Sequence, residues 1–319
     1  MNNLVDFKLI KEAKLKIETL ISPTPLHYAP NLSHIFGAEI YLKLECFQPI
    51  KVFKIRGAYN KIINLSDQER KRGLVTASSG NHGIAVSYVS NKLNLSSTVC
   101  LPKGANPSKI NQIKQFGANI VKDGETYDDC YKNAIEIVSN NNSTLVHPFN
   151  DPLVIAGQGT IGLELIEQLP DLNTVIVPIG GGGLISGISL ALKHFTNKIK
   201  ILGVQPKGSS SMFTSIQQNQ IVKLDSINTI ADGLAAKEPG DLTFEITRKF
   251  VDDIFLLTEN EIKNSIIDLL FEENILSEPS GAVSLAALQH YHPSPNEKIV
   301  LLISGGNISR TLIKNLFQK

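Results

Sequence analysis

Lys54 lies in the run Val52-Phe53-Lys54-Ile55-Arg56-Gly57-Ala58, after Leu42-Lys43-Leu44-Glu45 and just ahead of a helical stretch. A lysine flanked by apolar residues at the mouth of a helix is poorly placed for solvent and well placed for covalent chemistry. Shielding from water disfavours the ammonium and can lower its pKa by up to about 3–5 units, leaving an amine able to form a Schiff base with a carbonyl. A second segment, Gly180-Gly181-Gly182-Gly183, follows the apolar run Thr174–Pro178 and precedes an apolar helix starting near Leu184. Backbone N–H groups without neighbouring Cβ atoms can crowd around an anion, and the helix N-terminus adds a favourable dipole. Phosphate is the natural guest. A plain flexible turn is the alternative, but four successive glycines carry an entropic cost that such a turn would not repay.

A dinucleotide fits this loop less well than a monophosphate. Gly181-x-Gly183-x-x-x-Gly187 is a loose variant of the dinucleotide pattern, and the strict spacing fails. The next strand, Lys200–Val204, runs into Gln205-Pro206 and offers no acid to hold a ribose. No Gly-Lys-Ser/Thr follows, so a P-loop is excluded as well. Ser78-Ser79-Gly80-Asn81-His82-Gly83 also follows a strand and opens a helix, presenting hydroxyls, an amide and N–H groups that can bind a carboxylate. Taken alone, it reads equally well as a capped turn. Ser304 ends an apolar strand and begins Gly305-Gly306-Asn307; a turn serine is common, and its position relative to the other three segments is what singles it out.

In that order and at those intervals, the four segments resemble the serine/threonine dehydratase and serine racemase family of pyridoxal-phosphate (PLP) enzymes, the fold-type II group. The likeness spans essentially the whole chain. It implies a two-domain α/β fold, tryptophan synthase beta-like, each domain a mainly parallel sheet flanked by helices, with pyridoxal 5'-phosphate in the interdomain cleft. Residues 1–72 and 151–319 would form the large PLP-binding domain and residues 73–150 the small one. By the same likeness Lys54 holds the cofactor covalently, Phe53 packs against its ring, and Gly180, Gly181, Gly182 and Gly183 take its phosphate. Asn81 meets the ring oxygen, Gly233 of Ala231-Asp232-Gly233-Leu234-Ala235 approaches the ring, and Glu278 of Glu278-Pro279-Ser280-Gly281-Ala282 is a nearby carboxylate. Ser280 reads as the N-cap of the next helix. Ser304 would face the pyridine nitrogen, and a neutral partner there leaves the ring a weaker electron sink than a carboxylate would, favouring elimination. Ser78, Ser79, Asn81 and His82 would hold the substrate.

The activity implied is β-elimination of ammonia from L-threonine or L-serine, with Lys54 removing the α-proton. Serine racemase is the nearest alternative, since racemases of this kind carry a serine at the position of Ser79 as the acid on the opposite face. An NAD-linked oxidoreductase and a catalytically silent PLP-binding protein are the readings from other classes. The chain departs from the family at Ile50-Lys51-Val52, where small or hydroxylated residues are usual. It ends 12 residues after Asn307, which leads us to expect the short catabolic type, without an isoleucine-responsive regulatory domain. Racemase-like members have acidic metal ligands after the strand matching Lys200–Val204; here Gln205, Ser209 and Ser211 are neutral, and no metal is expected.

Composition agrees with this. Of 319 residues, 42% are hydrophobic and 19% charged, enough for a sizeable core and about two domains. A formal net charge of +1 gives no reason to expect nucleic acid or a membrane as partner. Cys46, Cys100 and Cys130 have neither disulfide nor zinc spacing. The first 20 residues lack the continuous apolar core of a signal peptide, and a cytoplasmic homodimer or homotetramer acting on a small amino acid is expected. Nine candidate strands, Ile40–Glu45, Leu74–Ser78, Ser97–Leu101, Asn119–Lys122, Thr144–His147, Thr174–Pro178, Lys200–Val204, Asp253–Leu257 and Lys298–Ser304, alternate with helical patterns such as Thr126–Ser139 and Pro152–Gln168. Several are nearly uniformly apolar, which suits parallel sheets covered on both faces.

Overall fold

Ile299-Val300-Leu301-Leu302-Ile303 offers no polar face to water, and the fold gives it none. A computed structural model, describing residues 5–78 and 80–318, places this run inside a six-stranded sheet. The strands are β1 Leu26–Tyr28, β2 Glu39–Leu44, β3 Leu74–Ala77, β4 Ser97–Leu101, β5 Asn119–Lys122, β6 Thr144–Leu145, β7 Thr174–Pro178, β8 Lys200–Pro206, β9 Asp253–Leu257 and β10 Lys298–Ile303. They form a six-stranded sheet in the order β1-β2-β10-β7-β8-β9 and a four-stranded sheet in the order β5-β4-β3-β6. All pairings are parallel except β1 with β2.

Successive side chains of the central strands enter different cores. Ile176, Leu202, Leu301 and Ile303 join one cluster, whereas Val175, Val177, Ile201, Val300 and Leu302 join the other. Both faces are therefore dry, which explains why these runs show no alternation of polar and apolar residues. A third cluster lies against the four-stranded sheet and contains Ile84, Val86 and Val99 together with Ile55, Ala58 and Ile62 from the helix Lys54–Ile63. Full burial of each such side chain is worth about 1.5–3 kcal/mol.

All nine expected strands fall within two residues of their observed ends. Thr144–His147 narrows to Thr144–Leu145, although Val146 still donates to the Val75 carbonyl. β1 is the strand that pattern alone misses. It has three residues between Pro25 and Pro30, too few for a period, and its register is set by pairing with Tyr41–Lys43. The helix Tyr127–Asn141 starts with a capping box in which Thr126 and Asp129 bond reciprocally, and the helix Pro152–Gln168 is capped by Asp151. Among the described residues no helix is long and apolar enough to cross a membrane.

Candidate active site

The helix Lys54–Ile63 has no side-chain N-cap, so its entry is fixed from elsewhere. Residues Ile50–Phe53 are strapped to the segment after β10. Val52 forms an isolated bridge with Gly305, Phe53 N donates to the Ser304 carbonyl (3.1 Å), Gly306 N donates to the Lys51 carbonyl (2.8 Å), and Asn307 Nδ2 donates to the Ile50 carbonyl (3.1 Å). Ile50 and Val52 are buried in the cluster against the small sheet, which accounts for apolar residues where the family usually has small ones. Lys51 points to solvent and takes φ +59°. Lys54 turns the other way, and its Nζ donates to the Pro148 carbonyl at 2.8 Å. Burial brings its ammonium down to about 8, so a substantial fraction is free amine at mildly alkaline pH.

The glycine loop connects β7 to the helix Gly183–Phe195. A Cβ on Gly181 would lie 2.5 Å from the Phe149 ring. Gly182 has φ +96°, and a Cβ there would lie 2.8 Å from that of Thr243. Only glycine fits, and the helix N-terminus has no side-chain cap, so its N–H groups are available to an anion. Thr243 Oγ1 donates to the Gly181 carbonyl at 2.6 Å and fixes the loop from behind.

The helix Asn81–Lys92 likewise starts without a side-chain cap. Ser78 Oγ accepts from Gly80 N at 3.0 Å. Asn81 Nδ2 donates to Glu278 Oε1 (2.5 Å), while its Oδ1 accepts from Asn307 Nδ2 (3.1 Å). This holds the amide in one orientation, with a second Nδ2 hydrogen to spare. Ser79 lies outside the described residues. Ser304 is buried, and its hydroxyl donates to the Ser280 carbonyl at 3.2 Å. Ser280 does not cap its helix. Glu278 occupies the N-cap position of Pro279–Ala286, because the chain turns before Pro279, and Ser280 Oγ instead accepts from Gly233 N at 2.9 Å.

Phe53, Lys54, Asn81, Gly180, Gly181, Gly182, Gly183, Gly233, Glu278 and Ser304 line one cavity of about 40 Å³. Lys54, Asn81, Gly181 and Gly233 are shared with a second of about 400 Å³, which Ser78 and His82 also line. Every expected residue that is described thus borders one of two adjoining spaces, and Lys54 borders both. The donor set suits a phosphorylated aldehyde. The loop excludes side chains, uncapped helix ends offer N–H groups, and an amine of lowered pKa stands between them.

Sequence reasoning missed several contributors. Lys109, only 2% exposed, reaches Asp232 at 2.8 and 2.9 Å and Glu278 at 3.2 Å. Burial opposes its charge, but the two carboxylates outweigh that and hold its pKa above the ordinary lysine range. Burial raises Glu278, with Lys109 opposing. Nothing in Asn106-Pro107-Ser108-Lys109 distinguishes this lysine from a surface one. Tyr127, Tyr131, His147 and Phe149 form an aromatic wall of the larger cavity; the sequence marked Tyr127 and Tyr131 only as part of a helical pattern.

A family model described as pyridoxal-phosphate dependent enzyme matches residues 17–305. L-threonine ammonia-lyase of Thermotoga maritima is 42% identical over 316 residues, 99% of this chain and 79% of that protein. The catabolic L-threonine dehydratase of Escherichia coli K12 is 40% identical over 313 residues, 96% of this chain and 94% of that one. Among solved structures, maize serine racemase superposes with a TM-score of 0.94 at 36% identity, covering 98% of this chain and 97% of that one. The processed form of threonine deaminase isoform 2 from Solanum lycopersicum gives 0.92 at 34% identity, covering 97% and 86%.

Proposed function

This chain belongs to the pyridoxal-phosphate-dependent enzymes, in the fold-type II group, and from that premise we propose that it is an ammonia-lyase which deaminates L-threonine and L-serine to a 2-oxo acid and ammonia. One observation carries the reading: the Lys54 amine, with its lowered pKa, stands between a glycine cradle built for phosphate and a cavity wide enough for an amino acid. When bound, pyridoxal phosphate supplies an aldehyde for that amine and a ring that takes up the electron pair released at the α-carbon.

The chain's own residues do the rest. Gly180–Gly183 and the following helix end hold the phosphate. Asn81, locked by Glu278 and Asn307, would offer its remaining N–H to the ring oxygen, and Ser304 would give the pyridine nitrogen a neutral partner. Ser78, Ser79 and the first turn of Asn81–Lys92 take the substrate carboxylate. The Lys54 amine would take the α-proton from the substrate. The β-hydroxyl departs as water with the proton that Lys54 has taken up, and hydrolysis of the enamine product gives the 2-oxo acid and ammonia. Purified protein is expected to release equal amounts of ammonia and 2-oxobutanoate from L-threonine, and of ammonia and pyruvate from L-serine. A protein that binds the cofactor yet forms neither acid would defeat the assignment.

A large domain of residues 1–72 and 151–319 and a small one of 73–150 suit the two sheets, since β3–β6 all fall between residues 74 and 145. We also favour a cytoplasmic homodimer or homotetramer; exposed Phe47, Phe271 and Phe317 offer apolar surface for association.

Racemisation is the second reading, favoured by the likeness to maize serine racemase and by Ser79. A racemase needs a proton donor on the face opposite Lys54, whereas elimination does not. Ser79→Ala is therefore expected to keep much of the pyruvate formation from L-serine and to abolish any D-serine. If the wild type makes no D-serine and the variant loses pyruvate too, Ser79 serves binding alone. If D-serine dominates in the wild type, racemase replaces lyase.

A further inference from the structure

His82 sits in the first turn of the helix Asn81–Lys92, 3% exposed, and lines the same cavity as Lys54. Its Nε2 is 3.1 Å from the Val146 carbonyl oxygen. A carbonyl can only accept, so this nitrogen carries the proton. The ring is neutral, because burial first, and then the nearby Lys54, lower its pKa to about 3. Nδ1 is consequently a lone-pair acceptor, and it has no hydrogen-bond partner among the described residues. A buried acceptor without a donor is unfavourable, and a carboxylate, which also only accepts, cannot satisfy it. The ring is thus the wrong partner for the substrate carboxylate. That anion is served by backbone N–H groups and by Ser78, whose Oγ already accepts from Gly80 N and keeps its own proton to donate.

We propose that His82 Nδ1 accepts a hydrogen bond from the β-hydroxyl of the bound amino acid, which makes His82 a specificity-determining residue for β-hydroxy substrates. The inference rests on the lyase reading above. A hydroxyl that donates to Nδ1 keeps both lone pairs for the proton it must gain from Lys54 to depart as water, and His82 itself neither gives nor takes a proton.

β-Chloro-L-alanine has the same amino and carboxyl groups and, losing chloride, gives the same pyruvate and ammonia, but its β-substituent cannot donate. The measurement is the kcat/KM ratio of L-serine to β-chloro-L-alanine in wild type, His82→Asn and His82→Gln. Asparagine places an amide oxygen near the position of Nδ1, whereas glutamine keeps a donor near Nε2 and removes the acceptor. The ratio is expected to fall about tenfold in His82→Gln and to stay within about threefold of wild type in His82→Asn. An unchanged ratio in His82→Gln, or an equal fall in both variants, overturns the proposal. Should the variants not fold, nitrogen NMR of histidine-labelled wild-type holoenzyme decides. His82 Nδ1 should be unprotonated and should shift on adding α-methyl-L-serine, which has no α-proton to lose, but not on adding α-aminoisobutyrate. A protonated Nδ1, or the same response to both, overturns it. Wild type that releases ammonia from neither substrate defeats the lyase reading itself, a result distinct from an unchanged ratio.

Discussion

Lys54→Ala is expected to lower ammonia release from L-threonine by roughly a thousandfold or more, because it removes the covalent anchor and the proton acceptor together. Borohydride reduction of the wild-type holoenzyme, followed by peptide mapping, should put the pyridoxyl label on Lys54. Lys51 is the control. Its side chain is exposed and borders neither cavity, and Lys51→Asn, chosen because asparagine tolerates positive φ, should keep its activity. Label on Lys51, or full turnover by Lys54→Ala, would refute the assignment. A pH dependence accompanies it. With the folded-state pKa lowered to about 8, capture of pyridoxal phosphate by cofactor-free protein should rise as pH passes through about 8 and level off above it. Between that value and the ordinary one of 10.5, the unfolded chain holds a proton that the folded chain has lost. Stability of the cofactor-free protein should therefore gain with rising pH across that window.

Arg56→Met should be the most damaging single change to stability, costing about 3–5 kcal/mol. Arg56 is fully buried. Its guanidinium donates to Glu45 at 2.7 and 2.8 Å and to Glu164 at 2.5 and 3.0 Å. Lys43 donates to Glu164 at 2.5 Å, so the four charges balance. Removing the arginine leaves one buried carboxylate uncompensated. The double variant Arg56→Met/Glu45→Gln restores neutrality, with the Lys43–Glu164 pair intact, and should be more stable than the single variant in urea denaturation. If it is less stable, loss of packing rather than unpaired charge explains the effect. Burial alone would raise Glu45, but Arg56 outweighs it and holds the carboxyl below its ordinary value of 4.5. That contribution is complete above the ordinary value and is lost as pH falls below it. Arg56→Lys should rescue only in part, since an ammonium cannot bond both carboxylates in a planar fork.

The site was legible in the sequence where its geometry is local. A strand, a glycine loop and a helix end form an anion cradle wherever they occur consecutively, and a lysine at a helix start declares itself by its apolar neighbours. The chain has only five arginines, which makes Arg56 beside Lys54 conspicuous, but its partner Glu164 lies 108 residues away and is buried by a helix–helix contact that no spacing encodes. Lys109 was invisible for the same reason: its carboxylates come from two distant turns. The tautomer of His82 depends on Val146, 64 residues further on, so the sequence could mark the residue for the substrate without telling which of its atoms faces which group. β1 escaped because its conformation is imposed by β2 rather than by its own residues.

The strap between Ile50–Phe53 and Ser304–Asn307 bears on how the protein is made. Residues that set the direction of Lys54 are separated from it by some 250 positions, and β10, to which they are joined, is also the strand that connects β2 to the rest of its sheet. A chain emerging from the ribosome can complete the four-stranded sheet early, because β3–β6 are contiguous in sequence. It cannot close the larger sheet or orient its lysine until β10 and the Ser304–Asn307 segment have been released. Such a nascent chain gains no reactive amine piecemeal, and a ribosome that stalls before β10 leaves a product unable to retain the coenzyme.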